Sequence, residues 1–311
     1  MSAMNIFDIF LPIAHMDINI LLIIAFGGVV GFLSGLVGVG GGFLITPLLI
    51  FVGVPPLVAV ATGSAQIVGT SASGSYAHWR LGNVDMRMAF MLLVGSWSGG
   101  AVGVHVAQIL EAGGHFGTIV TFLYVGLLGV VGASMLLESL SALRGTKKAK
   151  TTPASKNNDD GWMNKLPLQM DFPVSGLRLS LLVPVVIGFG VGILTSLMGV
   201  GGGFIMVPVM IYLLRMPTKV VVGTSLFQLL FTTAEVSILQ AGVNHAVDPF
   251  LALVLVLGSA LGTQWGTKLG AKLPGEQLRL ILALVVVAVA VKMLFGILIR
   301  PEDVYSLALA R

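Results

Sequence analysis

The chain has 311 residues, of which 56% are apolar and only 10% are charged, and its mean hydropathy is +1.00. Soluble proteins use about 25% charged residues, so this composition excludes a soluble globular protein and predicts an integral membrane protein. The modest net charge of +4 points to no nucleic-acid partner, and the absence of cysteine excludes disulfides, thiolate metal sites and cysteine nucleophiles. The apolar segments run to about 20 residues, the length of a helix that crosses a hydrocarbon core of about 30 Å.

The first half of the chain predicts a series of apolar segments with a glycine-rich interruption. Residues 1–17 carry no Lys or Arg and form no convincing signal peptide, and 5–13 are predicted as a short amphipathic piece at the membrane interface. The first apolar run, 18–37, is followed by the break Gly40-Gly41-Gly42. The run after this break is too short to span alone unless it extends or forms a half-helix. The later segments are 57–76, 88–110 and 116–137.

A long polar stretch, residues 141–176, separates the two halves. It contains six Lys or Arg residues among Pro, Asn, Asp and Thr, and it is predicted to be a mobile, partly disordered loop. We therefore divide the chain into an N-terminal membrane repeat (1–140), a polar loop (141–177), a C-terminal membrane repeat (178–300) and a short tail (301–311).

The second half repeats the first. The stretch G-L-V-G-V-G-G-G-F-L-I-T-P (35–47) recurs as S-L-M-G-V-G-G-G-F-I-M-V-P (196–208), and residues 55–66 align without gaps to 217–228. Matches in this order extend over most of each half, which predicts an internal duplication. The equivalent positions include Thr62 and Thr224, Gln66 and Gln228, Asp85 and Asp248, and Ser96 and Ser259.

Equivalent loops carry opposite charge bias. The loop 80–87 contains two arginines, whereas its partner 242–247 has no Lys or Arg; the loop 53–56 has none, whereas its partner contains Arg215 and Lys219. By the positive-inside rule, this pattern predicts two repeats inserted with opposite topology, which requires an odd number of crossings in each. Five crossings meet this requirement, and so do three if the glycine break is the apex of a re-entrant hairpin. Both place the termini in the periplasm and the central loop in the cytoplasm.

The duplicated triple glycines predict a ligand site. A helix that begins just after such a break leaves its first N–H groups unpaired, and glycine lets a ligand approach the backbone, so an anion is attracted without Lys or Arg. Hydroxyl and amide side chains on one face of a neighbouring segment add hydrogen bonds, and an inverted relation brings both sets together near the midplane. The predicted substrate contacts are Gly40, Gly41, Gly42, Thr62, Ser64, Gln66, Gly201, Gly202, Gly203, Thr224, Ser225 and Gln228.

These residues also have a structural alternative. Small residues let membrane helices approach closely, so the glycines fit a packing role, and Ser or Thr in such helices often bonds to its own backbone. Gln66 and Gln228 are stronger indicators, because a buried amide must find partners. The triple glycine is not a phosphate loop, since no Lys-Ser or Lys-Thr follows it, and it lacks the strand–helix–strand context of a dinucleotide site.

Few ionisable residues lie within the predicted spans. Glu235 is the clearest and is a candidate for coupling to a proton or a sodium ion, with an interfacial residue as the alternative if it lies toward the outer end of its helix. Its equivalent is Ser73, so it is not part of the duplicated site. His105 is a second coupling candidate, since histidine titrates near neutral pH, against a purely structural role, and its equivalent Lys268 fits a snorkelling anchor.

The duplicated pattern G-x-x-G-x-G-G-G-[FL]-[IL]-x-x-P, followed by a proline and a T-x-x-x-Q stretch, resembles the TauE/SafE sulfite exporter family. The resemblance covers both halves and leaves out the tail and the central loop, and Ser196 departs from the first glycine of the pattern. It implies a bacterial inner-membrane permease for small sulfur-containing or organic anions, such as sulfite, sulfoacetate or related sulfonates, usually moved outward.

The sequence therefore predicts an all-α integral membrane protein with two inverted-topology helical repeats and discontinuous or re-entrant helices at the glycine breaks. The predicted function is secondary transport, as an exporter, of a small sulfur-containing or organic anion. A passive anion channel on the same fold is the alternative, and a membrane-embedded enzyme is less favoured, because no metal-spaced cluster or nucleophile–base pair is visible. We expect the anion and membrane lipid as partners, and neither a cofactor nor a metal.

Overall fold

The computed structural model describes residues 8–37, 41–143, 167–270 and 275–298. Within them, each half of the chain starts with a β-hairpin that leads into a series of helices. The first half contains β1 (Asp8–Leu11), β2 (Met16–Asn19), α1 (Ile20–Val37), α2 (Gly42–Phe51), α3 (Pro56–Arg80), α4 (Met86–Ala112) and α5 (Phe116–Leu143). The second half contains β3 (Gln169–Phe172), β4 (Leu177–Ser180), α6 (Leu182–Met198), α7 (Gly203–Pro208), a π-helical segment (Val209–Leu213), α8 (Thr218–Val243), α9 (Pro249–Gly270) and α10 (Gly275–Leu298).

Four helices in the described part of the chain are long and apolar enough to cross a membrane. The stretches lie in α4, α5, α8 and α9 and comprise Met86–Ala112, Phe116–Ser134, Val220–Val243 and Pro249–Gly266. These helices confirm the prediction of a mainly α-helical membrane protein. By contrast, α2 has 10 residues and a length of about 15 Å, roughly half of a hydrocarbon core.

The two β-hairpins correct the sequence prediction. Within the amphipathic piece expected over 5–13, the described residues Asp8–Leu11 form a strand that pairs antiparallel with Met16–Asn19, and 5–7 lie outside the described residues. The polar loop expected over 141–176 likewise includes the antiparallel strands Gln169–Phe172 and Leu177–Ser180, while 144–166 lie outside the described residues. A four-residue strand has too few alternations to give a clear periodic signal, so the hairpins depend on their pairing partners.

Both predicted helix breaks are present. In the first half α2 begins at Gly42, directly after Gly41, which has a φ of 70°. In the second half, left-handed glycines with φ between 66° and 75° separate α6 from α7, namely Gly199, Gly201 and Gly202. This backbone conformation is strained for residues that carry a Cβ, so the breaks require glycine at these positions.

Two pairs of helices from opposite halves pack closely through glycine. α1 lies along α9, and α4 lies along α6. Residue numbers rise together along both members of each pair, so both pairs are parallel, and the small residues allow the backbones to come close. The contacts are Ile24–Gly258 and Gly28–Gly262 in the first pair, and Leu92–Gly188 and Ser96–Gly192 in the second.

The equivalent helices α3 and α8 pack against each other in opposite directions. Gly74 in α3 contacts Leu226, whereas His78, further along α3, contacts Gly223. Rising residue numbers in α3 thus meet falling numbers in α8. α5 and α10, a second equivalent pair, also pack together. The residues predicted to form the substrate site lie where the α3–α8 pair meets the two short helices α2 and α7.

Candidate functional site

The two glycine breaks meet each other. Phe43 and Phe204, each the second residue of the helix that follows its break, stack with ring centroids 4.6 Å apart and an interplanar angle of 19°. A Cβ added at Gly42 would lie 3.0 Å from the carbonyl oxygen of Val200 in the opposite break. The duplicated sequence therefore builds one structural unit rather than two separate ones.

Apolar side chains cover these glycines. Ile67 of α3 packs its Cδ1 atom against both Gly42 and Gly201, and its equivalent Leu229 of α8 packs against Gly201 as well. Gly41, Gly42, Gly201, Gly202 and Gly203 are buried, and Gly40 lies outside the described residues. No side chain caps the start of α2 or α7, so the breaks are sealed from solvent by hydrocarbon rather than by polar partners.

Thr62 and Thr224 join the two halves. Thr62 Oγ1 accepts a hydrogen bond from the backbone N–H of Asp248 (3.1 Å), and Thr224 Oγ1 accepts one from the backbone N–H of Asp85 (3.0 Å). Both threonines are fully buried. Each hydroxyl thus bridges one half of the molecule to a helix start in the other half, while its own O–H remains a donor.

Ser64 and Ser225 bond to their own helices. The Ser64 hydroxyl donates to the carbonyl oxygen of Val60 (3.0 Å), and the Ser225 hydroxyl donates to that of Val222 (3.1 Å). This is the own-backbone arrangement common for hydroxyls in membrane helices. Neither serine therefore has a hydroxyl proton left for a ligand in this conformation.

Gln66 and Gln228 are the predicted site residues whose side chains contain a buried atom without a hydrogen-bond partner. They expose only 1% and 0% of their surface, and the Oε1 atom of each has no hydrogen-bond partner within the described part of the chain. Each directly precedes a residue, Ile67 or Leu229, that packs on the breaks. A buried acceptor without a partner costs about 1–3 kcal/mol, so both amides are held in an arrangement that leaves hydrogen-bonding capacity unused.

The Gln228 amide belongs to a hydrogen-bonded chain that closes the seam between α8 and α4. Its Nε2 donates to Thr232 Oγ1 (2.9 Å), and Thr232 Oγ1 lies 2.7 Å from Ser96 Oγ. Nearby, the indole nitrogen of Trp97 donates to the carbonyl oxygen of Phe231 (3.4 Å). Polar contacts therefore hold α4 and α8 together next to the candidate site.

The seam between α3 and α9 contains the equivalent residues but lacks this chain. Thr70 donates instead to the carbonyl oxygen of Ile67 in its own helix (3.1 Å). Ser259 donates to that of Val256 (3.1 Å), as Ser96 does to Leu93 (3.2 Å), but in the described structure only Ser96 also contacts the threonine across its seam. The two seams therefore differ in conformation, although their residue types match. The equivalent triads are Gln228, Thr232 and Ser96 in the closed seam, and Gln66, Thr70 and Ser259 in the other.

Two aspartates outside the predicted site hold the hairpins in place. Asp85 caps the first turn of α4, and its Oδ2 accepts hydrogen bonds from the backbone (2.9 Å) and hydroxyl (2.6 Å) of Ser175 in the β3–β4 turn. Asp248 caps the first turn of α9, and its Oδ2 accepts from the N–H of Ile13 (3.3 Å) in the β1–β2 turn. An aspartate directly before an apolar helical run is a visible N-cap signal, but its link to a hairpin has no sequence signature.

The two coupling candidates differ in their surroundings. Glu235 is half-buried; its Oε2 atom has no hydrogen-bond partner in the described residues and would lie 2.8 Å from a Cβ added at Gly100. Gly100 lies near the middle of α4, so Glu235 does not contact a helix end. His105 is exposed, and its Nδ1 lies 2.9 Å from the carbonyl oxygen of Ala101 on the same helix.

The chemistry of the site is that of neutral hydrogen-bonding groups. Across residues 8–37, 41–143, 167–270 and 275–298, no group of three or more His, Asp or Glu residues could hold a metal ion. Backbone amides, two primary amides and hydroxyls are the groups that stand near the breaks. Such groups bind small polar solutes and anions through hydrogen bonds without a formal positive charge.

Comparison with known proteins gives a family match across both glycine breaks. The family model described as sulfite exporter TauE/SafE matches residues 23–293. Two probable membrane transporter proteins of Bacillus subtilis (strain 168) are similar over most of their length. YunE is 29% identical over 249 residues, covering 78% of this chain and 85% of YunE. YjnA is 31% identical over 238 residues, covering 76% of this chain and 85% of YjnA.

A shorter similarity extends to plants. Sulfite exporter TauE/SafE family protein 3 of Arabidopsis thaliana is 28% identical over 110 residues, which cover 35% of this chain and 23% of the plant protein. No solved structure matches this chain. The similarity to the bacterial relatives therefore carries more weight than the partial plant match.

Proposed function

We propose a transport function on the premise that this chain belongs to the sulfite exporter TauE/SafE family, as the match over residues 23–293 shows and as its motifs predicted. Relatives that it covers over most of their length are probable membrane transporter proteins. The function that best fits the site is secondary transport of a small sulfur-containing or organic anion, such as sulfite or a sulfonate, in the outward direction. No resident cofactor, metal or catalytic step is needed for it.

The buried glutamine pair carries this proposal. Gln66 and Gln228 are equivalent, fully buried and incompletely hydrogen-bonded, and each adjoins a residue that packs on the glycine breaks. A rotation of the amide turns its N–H groups toward a ligand, and an anion accepts such bonds. The α2 start adds amide donors and the positive end of a helix dipole. Together these groups suit a small oxyanion held between the two halves.

Two inverted repeats would supply the transport architecture. Support comes from helix directions: α3 and its equivalent α8 are antiparallel, whereas α1 is parallel to α9 and α4 is parallel to α6. If the halves had the same orientation, equivalent helices would not oppose each other in this way. An anion site at the meeting point of such repeats lies near the midplane of the bilayer. There it can be opened alternately to the two sides of the membrane.

The α1–α2 unit fits a re-entrant hairpin rather than two crossings. Gly53, just after α2, lies within contact distance of Met16, just before α1, at 3.8 Å from the position of an added Cβ. Both ends of the unit are therefore on the same side of the molecule. Gly41 packs back against Val30 and Ser34 of α1, as the return leg of a hairpin does. This favours three crossings and one re-entrant hairpin in each repeat.

The sealed breaks correspond to a state in which the anion site is closed. Ile67 and Leu229 cover the glycines, so a substrate reaches the amides only after these side chains move. We take the apolar cover as a gate that a conformational change opens, in line with a transporter rather than with a permanently open pore. A passive channel remains the competing function, and the vesicle experiment below separates the two.

The proposed location is the bacterial inner membrane, with the central loop in the cytoplasm and the termini in the periplasm. The support is the opposite charge bias of equivalent loops, with Arg80 and Arg87 on one side and no Lys or Arg in 242–247. Because the chain has no native cysteine, a single cysteine in the central loop can be labelled from each side of the membrane. Labelling of that cysteine from the periplasm would overturn this topology.

The glutamines provide the test of the proposed site. Gln66→Ala and Gln228→Ala should abolish flux of radiolabelled sulfite in vesicles that contain purified protein, with normal membrane insertion. Gln108→Ala, which changes an exposed glutamine of α4, is the matched control and should retain flux. Undiminished flux in either site variant would remove that glutamine from the substrate site.

The same vesicles separate a transporter from a channel. Accumulation of the anion above its equilibrium distribution under a proton or sodium gradient supports secondary transport, whereas flux that only dissipates the anion gradient supports a channel. Thermal stabilisation of purified protein by sulfite, sulfonates, sulfate or carboxylates identifies the substrate class. Absence of stabilisation by every one of these anions would contradict the anion site itself.

A further inference from the structure

Glu235 stands at the edge of the seam between α8 and α4. Its neighbours on the outer face of α8, Phe231 and Ile238, are exposed at 38% and 71%, as side chains that face lipid would be. Its own side chain turns inward, so that Oε2 is buried against Gly100 without a hydrogen-bond donor. A carboxyl group therefore occupies an apolar contact between two helices, close to the hydrocarbon of the membrane.

Nothing in the described part of the chain forms an ion pair with this carboxyl. α6 and α7 carry no ionisable side chain. The ionisable residues of α3 lie near its last turn, and this turn packs on the end of α8 that is far from Glu235. The ionisable residues of α4 lie near the ends of that helix, except for the exposed His105. The ionisable side chains on α8 and on every element packed against it are Lys219, Tyr76, His78, Arg80, Arg87, His105, Glu111 and Tyr212.

The energetics of such a group depend on its proton. A carboxylate whose Oε2 atom is buried in an apolar contact loses part of its hydration without compensation, whereas the neutral acid loses far less. The carboxyl can stay in the seam when it is protonated. When it ionises, it must leave the seam to reach water or a cation. The seam is thus more stable in its closed form when the proton is bound.

The two repeats have different residue types at the position of Glu235, which points to a role that only one repeat has. At the equivalent of Glu235 the first half has Ser73, and at the equivalent of Gly100 the second half has Thr263. An acid opposite a glycine is therefore encoded at one pair of equivalent positions, Glu235 and Gly100, and is absent from the sequence at the other pair, Ser73 and Thr263.

Glu235 also lies on the polar side of the seam that leads to the anion site. Gln228, Thr232 and Glu235 are spaced at i, i+4 and i+7, which places them along one side of α8. The first two belong to the hydrogen-bonded chain that closes this seam through Ser96. A change in the seam at Glu235 therefore acts on the same contacts that orient the Gln228 amide.

We propose that Glu235 is the proton-binding group that couples anion transport to the proton gradient, an inference that rests on the proposed transport function. Protonation lets the carboxyl pack under Gly100 and closes the α4–α8 seam. Loss of the proton drives the carboxylate out of the seam and opens it, which frees the amide of Gln228. The bond that forms and breaks is the O–H bond of the carboxyl, and the proton comes from and returns to water on the two sides of the membrane.

Transport in vesicles tests the coupling. Glu235→Gln keeps the size and neutrality of the protonated side chain, so it should retain anion-for-anion exchange and lose accumulation driven by a pH gradient. Glu111→Gln, at the exposed end of α4, is the matched control and should keep full coupling. A Glu235→Gln protein that still accumulates the anion in response to the pH gradient would overturn the proposal.

A chemical probe tests the group without any transport. A hydrophobic carbodiimide reacts with protonated carboxyl groups in apolar surroundings, so mass spectrometry of the treated wild-type protein should find the adduct on Glu235, decreasing as pH rises. Gly100→Ala, whose added Cβ would meet Oε2 at 2.8 Å, should displace the carboxyl and shift this pH dependence. Gly190 has open space around it, so Gly190→Ala should leave the pH dependence of the labelling unchanged. Labelling that is independent of pH, or absent from Glu235, contradicts the proposal.

The two experiments also separate this inference from the function beneath it. If the wild-type protein neither binds nor moves any anion, the proposed function fails whatever the carbodiimide reports. If the wild-type protein transports the anion but Glu235→Gln keeps its response to the pH gradient, the function stands and the coupling role of Glu235 falls.

Discussion

The hydroxyl oxygen of Thr224 accepts a hydrogen bond from the backbone N–H of Asp85 at 3.0 Å, and these residues are 139 positions apart in the chain. Thr62 makes the same contact with Asp248 at 3.1 Å. Each aspartate also binds a hairpin turn that belongs to the opposite half. A helix of one half, the start of a helix in the other half and a hairpin are therefore held together twice, at equivalent places.

This relationship predicts a stability loss in threonine variants. Thr224→Val keeps the shape of the side chain but leaves the buried N–H of Asp85 without an acceptor, at a cost of about 1–3 kcal/mol. The melting temperature in detergent should fall, and Thr224→Ser should recover much of the loss. Thr121→Val, which removes a hydroxyl bonded to its own helix, is the control and should have a smaller effect. A Thr224→Val protein as stable as wild type would show that the bridge carries no stability.

The stacked rings of Phe43 and Phe204 predict an energetic coupling between the two breaks. At a centroid distance of 4.6 Å, the pair should contribute about 0.5–1.5 kcal/mol beyond the burial of its area. A double-mutant cycle with Phe43→Leu and Phe204→Leu, followed by denaturant unfolding, measures this term. Phe122→Leu, at an exposed ring, is the control and should show no coupling to either. Strict additivity of the two substitutions would mean that the breaks do not support each other.

The parallel helix pairs predict that only some glycines tolerate a methyl group. A Cβ at Gly99 would collide with the backbone of Phe189, and one at Gly262 with the backbone of Gly28, so each Gly→Ala change should cost about 1–3 kcal/mol through overpacking. Gly126→Ala in α5 has open space around it and is the matched control. Thermal unfolding in detergent measures the difference. Equal stability of all three variants would contradict the close approach.

The unequal seams predict two alternating cross-links. Because the chain has no native cysteine, pairs of cysteines can be introduced without cross-links to other cysteines of the chain. Ser96→Cys with Thr232→Cys should form a disulfide readily, since the native oxygens are 2.7 Å apart. Thr70→Cys with Ser259→Cys should cross-link only when the protein moves to its other state, and each cross-link should stop transport until it is reduced. Single-cysteine variants are the controls, and a Thr70–Ser259 pair that never cross-links during turnover would rule out the exchange of seams.

The sequence could predict those features that depend on local backbone chemistry and duplication. The breaks at Gly41 and Gly202 are predictable because positive φ angles require glycine, and their recurrence marks corresponding places in both halves. Gln66 and Gln228 can also be identified from the sequence as candidate site residues, because each is a polar amide within an apolar helix and the pair is duplicated. The family resemblance rests on the same repeated residues and is confirmed over most of the chain.

Other features arise only from contacts between distant parts of the chain. The strands of the hairpins have four residues each and give no clear pattern alone. Their attachment to Asp85 and Asp248 joins positions as far as 235 residues apart. The predicted roles of Thr62 and Ser64 did not anticipate that the first bridges the halves and the second bonds to its own helix.

The sequence by itself determined the membrane class, the duplication and the positions of the helix breaks, because composition and glycine conformations are local properties. Only the tertiary structure decided that the breaks meet at Phe43 and Phe204, that Ile67 and Leu229 cover them, and that equivalent seams are in different states. The reason is physical. A repeated sequence has the same local conformational preferences in both copies, whereas the hydrogen bonds that each copy makes depend on the different side chains packed against it.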